Sequence, residues 1–130
     1  MALSRKEYLQ KIIGLHERLI IASEEYEGIS EEFISKQELD IPAMKEQWML
    51  KVDEFKQILT DMNALEIPNA FEKEGNELKE AYTLFVNCVE EKTKKFSVEA
   101  MESGELDALQ SKELHAAEDM EELIESMFEK

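Results

Sequence analysis

The chain is poor in the residues that interrupt or cross-link a fold: four glycines, two prolines and one cysteine in 130 residues. So few turn formers exclude collagen-like and linker-rich chains. They also argue against a β protein, whose strands need frequent tight turns. The single Cys88 cannot close an intramolecular disulfide. Set among Leu84, Phe85, Val86 and Val89, it reads as a half-buried structural thiol, because a reactive thiolate wants a cationic or helix-N-terminal setting. Long apolar runs are missing too. Leu19-Ile20-Ile21-Ala22, the most apolar stretch, has four residues, where a membrane span needs about twenty. The first residues, Met-Ala-Leu-Ser-Arg-Lys-Glu, lack the apolar core of a signal peptide. A reduced, cytoplasmic setting is therefore expected. Positive charge is scarce: fifteen Lys and Arg against thirty-one Asp and Glu give a net charge of −16. Direct binding to nucleic acid or to an anionic membrane is not expected, since both need a basic surface.

Motifs that would name a reaction are also absent. There is no Gly-rich phosphate loop, no G-x-S-x-G elbow, no H-E-x-x-H and no EF-hand loop. A di-iron bundle would need Glu three residues before each His, but Ile13 precedes His16 and Lys112 precedes His115 at that distance. No cofactor and no metal ligands are expected, and no catalytic residue is assigned. The chain reads as non-enzymatic.

What is present is helical periodicity. Ser4-Arg5-Lys6-Glu7 fits a capping box, in which Ser and Glu side chains satisfy the first backbone N–H groups of a helix. Leu9, Ile12, Ile13, His16, Leu19, Ile20 and Ser23 then share a face at about 100° per residue, and Gly28 suits a helix end near Glu27. Ser30 could cap a short helix holding Phe33 and Ile34. Asp40 followed by Pro42 marks a new start. Met44, Trp48, Val52, Phe55, Leu59 and Met62 form the strongest stripe, ended before Pro68. Asn69 opens a third helix carrying Phe71, Leu78, Tyr82, Phe85, Val89 and Phe96, which runs to about Ser103 or breaks near Ser97. Gly75 lies on its apolar face, where close approach of a neighbour would explain it. After Gly104, the last helix carries Leu106, Leu109, Ala117, Met120, Ile124, Met127 and Phe128. The expectation is one all-α domain over residues 1–130: an antiparallel bundle of four main amphipathic helices, with a short extra helix between the first two.

The functional candidates follow from charge and from residues that break the stripes. Residues 105–130 hold nine acidic and two basic side chains. Glu118, Asp119, Glu121, Glu122, Glu125 and Glu129 crowd the last turns, where acids oppose the helix dipole. Ile21, Met49 and Leu50 fall off the apolar faces. These nine residues are the candidate partner-binding set, for another protein or for a second copy in a homodimer. His16, with Ser23 two turns on, is the candidate buried polar site, while His115 falls on the solvent side of its helix. The leading functional reading is an acidic protein-interaction module. One alternative is an acidic nucleic-acid mimic that inhibits a DNA- or RNA-binding protein, with carboxylates ranked along one face. The other is an enzyme or metal protein using a buried site near His16, with at least two carboxylates converging on the imidazole.

Overall fold

The computed structural model describes residues 3–35 and 40–130, apart from the Ile34 side chain. Four long helices, α1 (Arg5–Ser35), α2 (Ile41–Asn63), α3 (Glu72–Lys95) and α5 (Asp107–Glu129), are joined by a 3-10 turn at Asn69–Phe71 and a short helix α4 (Val98–Ser103). There is no strand among the described residues. The fold is an all-α bundle, as the periodicity predicts.

Local sequence sets most helix ends. Ser4 Oγ accepts from the Glu7 amide at 3.1 Å and Glu7 reaches back to the Ser4 amide, closing the capping box. Asp40 accepts from the Ala43 amide at 3.2 Å, with Pro42 in the first turn where its missing N–H costs nothing. Ser97 accepts from the Ala100 amide and splits the expected long third helix into α3 and α4. Gly104 ends α4 at φ 75°, a left-handed conformation that disfavours side chains with a Cβ.

One boundary departs from expectation. Residues 29–35 do not form a separate helix but extend α1, and Gly28 lies inside it. Residues 36–39, between α1 and α2, lie outside the described residues. The extension holds because Ile29 is buried against Met44 and Trp48. That tertiary burial, worth roughly 2 kcal/mol for a side chain of this size, outweighs a glycine penalty of about 1 kcal/mol.

Successive helices run antiparallel. Arg18 pairs with Asp61 and Glu25 with Lys51 between α1 and α2, while Lys92 meets Glu113, and Lys130 meets Glu74, between α3 and α5. Contact is heaviest between α3 and α5 and substantial for α1 on α2 and α2 on α3; α1 and α5 barely meet. The ring of four is thus packed on three sides and sparse on the fourth.

The core explains which side stays open. In α1 the buried positions are Tyr8, Ile12, Leu15, Leu19, Ala22 and Ile29, with half-buried Tyr26 completing the row. Their steps of four and three run unbroken along one face. Ile13 and Ile20, expected in the core, are instead 39% and 44% exposed. Ile20 lines the side toward α5, where contact between the described residues is sparse, and Ile13 lies two turns earlier on the same face of α1. Similarly Ile58, not Leu59, is fully buried on α2, and Phe128 is exposed on α5. Val86, Ala116 and Met127 join the core.

Gly75 is a true close approach. A Cβ there would stand 2.6 Å from Ile67 Cγ2 and 2.8 Å from Tyr8 Oη, well inside contact distance. Tyr8 is fully buried, and its hydroxyl has no hydrogen-bond partner among the described residues. Burial pushes its phenol up to about 12. Two outcomes follow, both read by chemical denaturation. Gly75→Val overpacks this contact and lowers stability by about 2–3 kcal/mol. Tyr8→Phe removes an unsatisfied buried hydroxyl and raises stability by about 1 kcal/mol.

Candidate functional site: a cleft between the first and last helices

On the sparse side a cleft of about 690 Å³ opens between the C-terminal half of α1 and the N-terminal half of α5. Each wall is one helical row. From α1 come His16, Ile20, Ser23, Glu27 and Ser30, at steps of four, three, four and three, with Glu24 and Glu31 beside them. From α5 come Asp107, Gln110, Leu114, Ala117 and Glu121, at steps of three, four, three and four, with Glu113 beside them. In a closed bundle these two rows would be the seam between α1 and α5. Here they carry six carboxylates between them.

The floor is aromatic. Tyr26, Trp48, Phe55, Phe85 and Phe96 reach it from α1, α2, α3 and the α3–α4 junction. Tyr26 and Trp48 stack with centroids 5.4 Å apart, Trp48 meets Phe96 edge-on at 4.7 Å, and Phe55 meets Phe85 edge-on at 5.8 Å. Such pairs add about 1 kcal/mol each beyond their burial and hold the rings in place. The polar atoms of the floor are satisfied from behind. Trp48 Nε1–H donates to the Tyr26 carbonyl at 2.9 Å. Thr93, fully buried, donates its hydroxyl to the Val89 carbonyl and accepts from Tyr26 Oη at 2.7 Å. Burial pushes the Tyr26 phenol up to about 12. The floor thus presents ring faces and edges, with its hydrogen-bonding groups already spent on the protein.

Lys92 is the one lysine or arginine among the lining residues. Its Nζ sits 2.9 Å from both Glu113 Oε1 and Gln110 Oε1, and 5.4 Å from the Tyr26 ring centroid. Both charges of the Lys92–Glu113 pair are largely buried, at 16% and 13% side-chain exposure. The pair ties α3 to α5 at the cleft edge. It also shows that the floor accommodates an ammonium group against an aromatic face.

His16 closes the lower end. Its Nδ1 lies 2.9 Å from Tyr82 Oη. Desolvation drives the Tyr82 phenol strongly upward, so it stays protonated. With His16 as its hydrogen-bond partner, Tyr82 is best satisfied by donating to Nδ1, which places the imidazole proton on Nε2. Burial lowers the His16 pKa below the usual imidazole value, partly opposed by the negative charge of Glu121.

The residues singled out from sequence therefore disperse. His16, Ser23 and Glu121 meet in the cleft. Asp119 and Glu122 face away, lining a shallower groove between α3 and α5 with Glu77, Glu80, Leu84 and Leu123. Glu118 lies near exposed His115, and Glu125 and Glu129 are exposed at the end of α5. Ile21 and Leu50 are exposed but do not line the cleft, while Met49 is half-buried against the main core. The residues that sequence reasoning missed are the facing carboxylates Glu24, Glu27, Glu31, Asp107 and Glu113 and the aromatic floor. Each wall's spacing was readable, but their juxtaposition is a property of the fold.

Comparison with protein-family models, with curated proteins and with solved structures finds no match. The geometry of the cleft therefore carries the functional argument.

His16 gives a direct test of that geometry. Because its folded-state pKa is depressed, its contribution to stability is complete above the unfolded value of about 6.5 and is lost as pH falls through the folded value. An NMR titration should place the His16 imidazole below that value, and Tyr82→Phe should move it back upward. His16→Gln should flatten the stability profile just below about pH 6.5.

Proposed function

We propose that this chain is a non-enzymatic protein-binding module and that its partner occupies the cleft between α1 and α5. The observation that supports this reading is the combination of a preformed aromatic floor with lips that carry both carboxylates and exposed apolar side chains. Ile20 on one lip and Leu114 on the other are 44% and 54% exposed. Apolar anchors supply affinity in such a site, while charge sets encounter rate and choice of partner. In this reading the cleft takes over the role first assigned to the acidic last helix and to Ile21, Met49 and Leu50.

The observations favour this reading over the two alternatives. A nucleic-acid mimic would rank its carboxylates along one face, but here they line both the α1/α5 cleft and the α3/α5 groove. A catalytic His16 would gather carboxylates about the imidazole, but its hydrogen-bond partner is the Tyr82 hydroxyl, with the charge of Glu121 acting on it.

Site-specific photo-crosslinking in the cell of origin tests the proposal. A crosslinker at Leu114 should yield a discrete adduct with a different protein, diminished by high salt and by Glu24→Lys with Glu27→Lys. A crosslinker at Leu50, outside the cleft, should not. Adducts confined to Leu50, adducts only with a second copy of this chain, or none at Leu114 would each overturn it.

A further inference from the structure

We infer that the occupant of the cleft is a basic amphipathic helix of about four turns. This rests on the reading of the cleft as a partner site and names the class of partner. The shape comes first. From His16 to Glu31 the α1 wall runs fifteen residues, and from Asp107 to Glu121 the α5 wall runs fourteen. At 1.5 Å per residue each wall is about 20 Å long. A trough of that length between two antiparallel helices matches a helix of roughly fourteen residues, laid down as one more helix of the bundle.

Its chemistry follows from the trough's cross-section. The bottom is aromatic and its polar atoms are already hydrogen-bonded, so an inserted side chain gains from apolar contact there. Both lips are acidic at helical spacing. Glu24, Glu27 and Glu31 stand three and four residues apart on one side, with Asp107 and Glu121 on the other. The fitting helix therefore carries an apolar stripe inward and lysines or arginines on both flanks. A small polycation would satisfy the lips but leave the floor, Ile20 and Leu114 uncovered. A purely apolar helix would cover the floor but leave the five exposed carboxylates of the lips without a countercharge from the partner. The ammonium of Lys92 against the Tyr26 ring, beside Glu113, is an intramolecular version of the contact that a lysine of the partner would make.

Trp48, the chain's one tryptophan, lines the floor and reports occupancy by its fluorescence. The probe is a sixteen-residue synthetic peptide of leucine and lysine, with leucines at steps of three and four. Its comparators are a scrambled peptide of the same composition, the same peptide with glutamate for lysine, and spermine. The helical peptide should shift Trp48 emission saturably and bind at least tenfold tighter than any comparator. Glu24→Gln, Glu27→Gln and Glu31→Gln combined should weaken it about tenfold. Glu77→Gln, Glu80→Gln and Glu122→Gln combined, on the opposite groove, should leave it unchanged. Equal binding of the scrambled peptide or of spermine, equal loss from both triple variants, or no response of Trp48 would overturn the assignment. If the Leu114 crosslinker still captures a protein while the peptide fails, the cleft remains a partner site and only the helix class falls. If both fail, the cleft reading falls with it.

Discussion

The arrangement turns on one repulsive seam. A four-helix ring would close by bringing α1 against α5, but the rows that would meet carry Glu24, Glu27 and Glu31 on one side and Asp107 and Glu121 on the other, with Glu113 already paired to Lys92. Like charges on facing helices repel, and because these carboxylates are exposed, water and salt screen that repulsion. The same rows could bury Ile20 and Leu114 on closing, worth about 2 kcal/mol each at most. The like charges on both rows thus oppose the apolar gain from closing. The other three interfaces carry the fold: the core cluster from Tyr8 through Met127 and the ion pairs Arg18–Asp61, Lys51–Glu25 and Lys92–Glu113.

An open seam would be costly if it exposed unsatisfied polar groups or left its floor free to rearrange. Neither holds here. Trp48 and Tyr26 have their polar atoms bonded to the Tyr26 carbonyl and to Thr93, and edge-on ring contacts pin Trp48, Phe96, Phe55 and Phe85. At the lower end the Tyr82–His16 hydrogen bond fills the space between α1 and α3, and Glu121 approaches from α5. The cleft is thus a preorganised surface, so a partner would spend little of its binding energy on ordering it.

The sequence and the structure agree where one signal dominates. Capping residues Ser4 and Asp40, the stop at Gly104 and the α2 stripe through Trp48 and Phe55 were legible because each is a local pattern. The face of α1 was not read correctly. Two apolar rows interleave there: Tyr8, Ile12, Leu15, Leu19, Ala22, Tyr26 and Ile29 face the core, while Leu9, Ile13, His16, Ile20 and Ser23 flank it. The second row looks equally apolar as far as Ile20. The discriminating signal is length, since only the first row continues at steps of three and four to Ile29, and that continuation also carries the helix through Gly28. Excess acidity was visible in the last helix, yet the charges that shape the cleft are drawn equally from α1. Summing charge along a segment misses a juxtaposition made between segments.

A distance measurement across the seam tests this picture most directly. Spin labels at Glu27 and Gln110 span α1 and α5 at the cleft, and labels at Glu91 and Lys112 span the packed α3 and α5, with buried Cys88 replaced by alanine in both. The acidic seam predicts a single narrow distance for the α1/α5 pair, clearly longer than that of the α3/α5 pair. It also predicts that adding Glu24→Gln and Glu31→Gln to this labelled pair shortens that distance as the repulsion is removed. An α1/α5 distance as short as the α3/α5 one would mean that the fourth side is packed, and the cleft would cease to be a site.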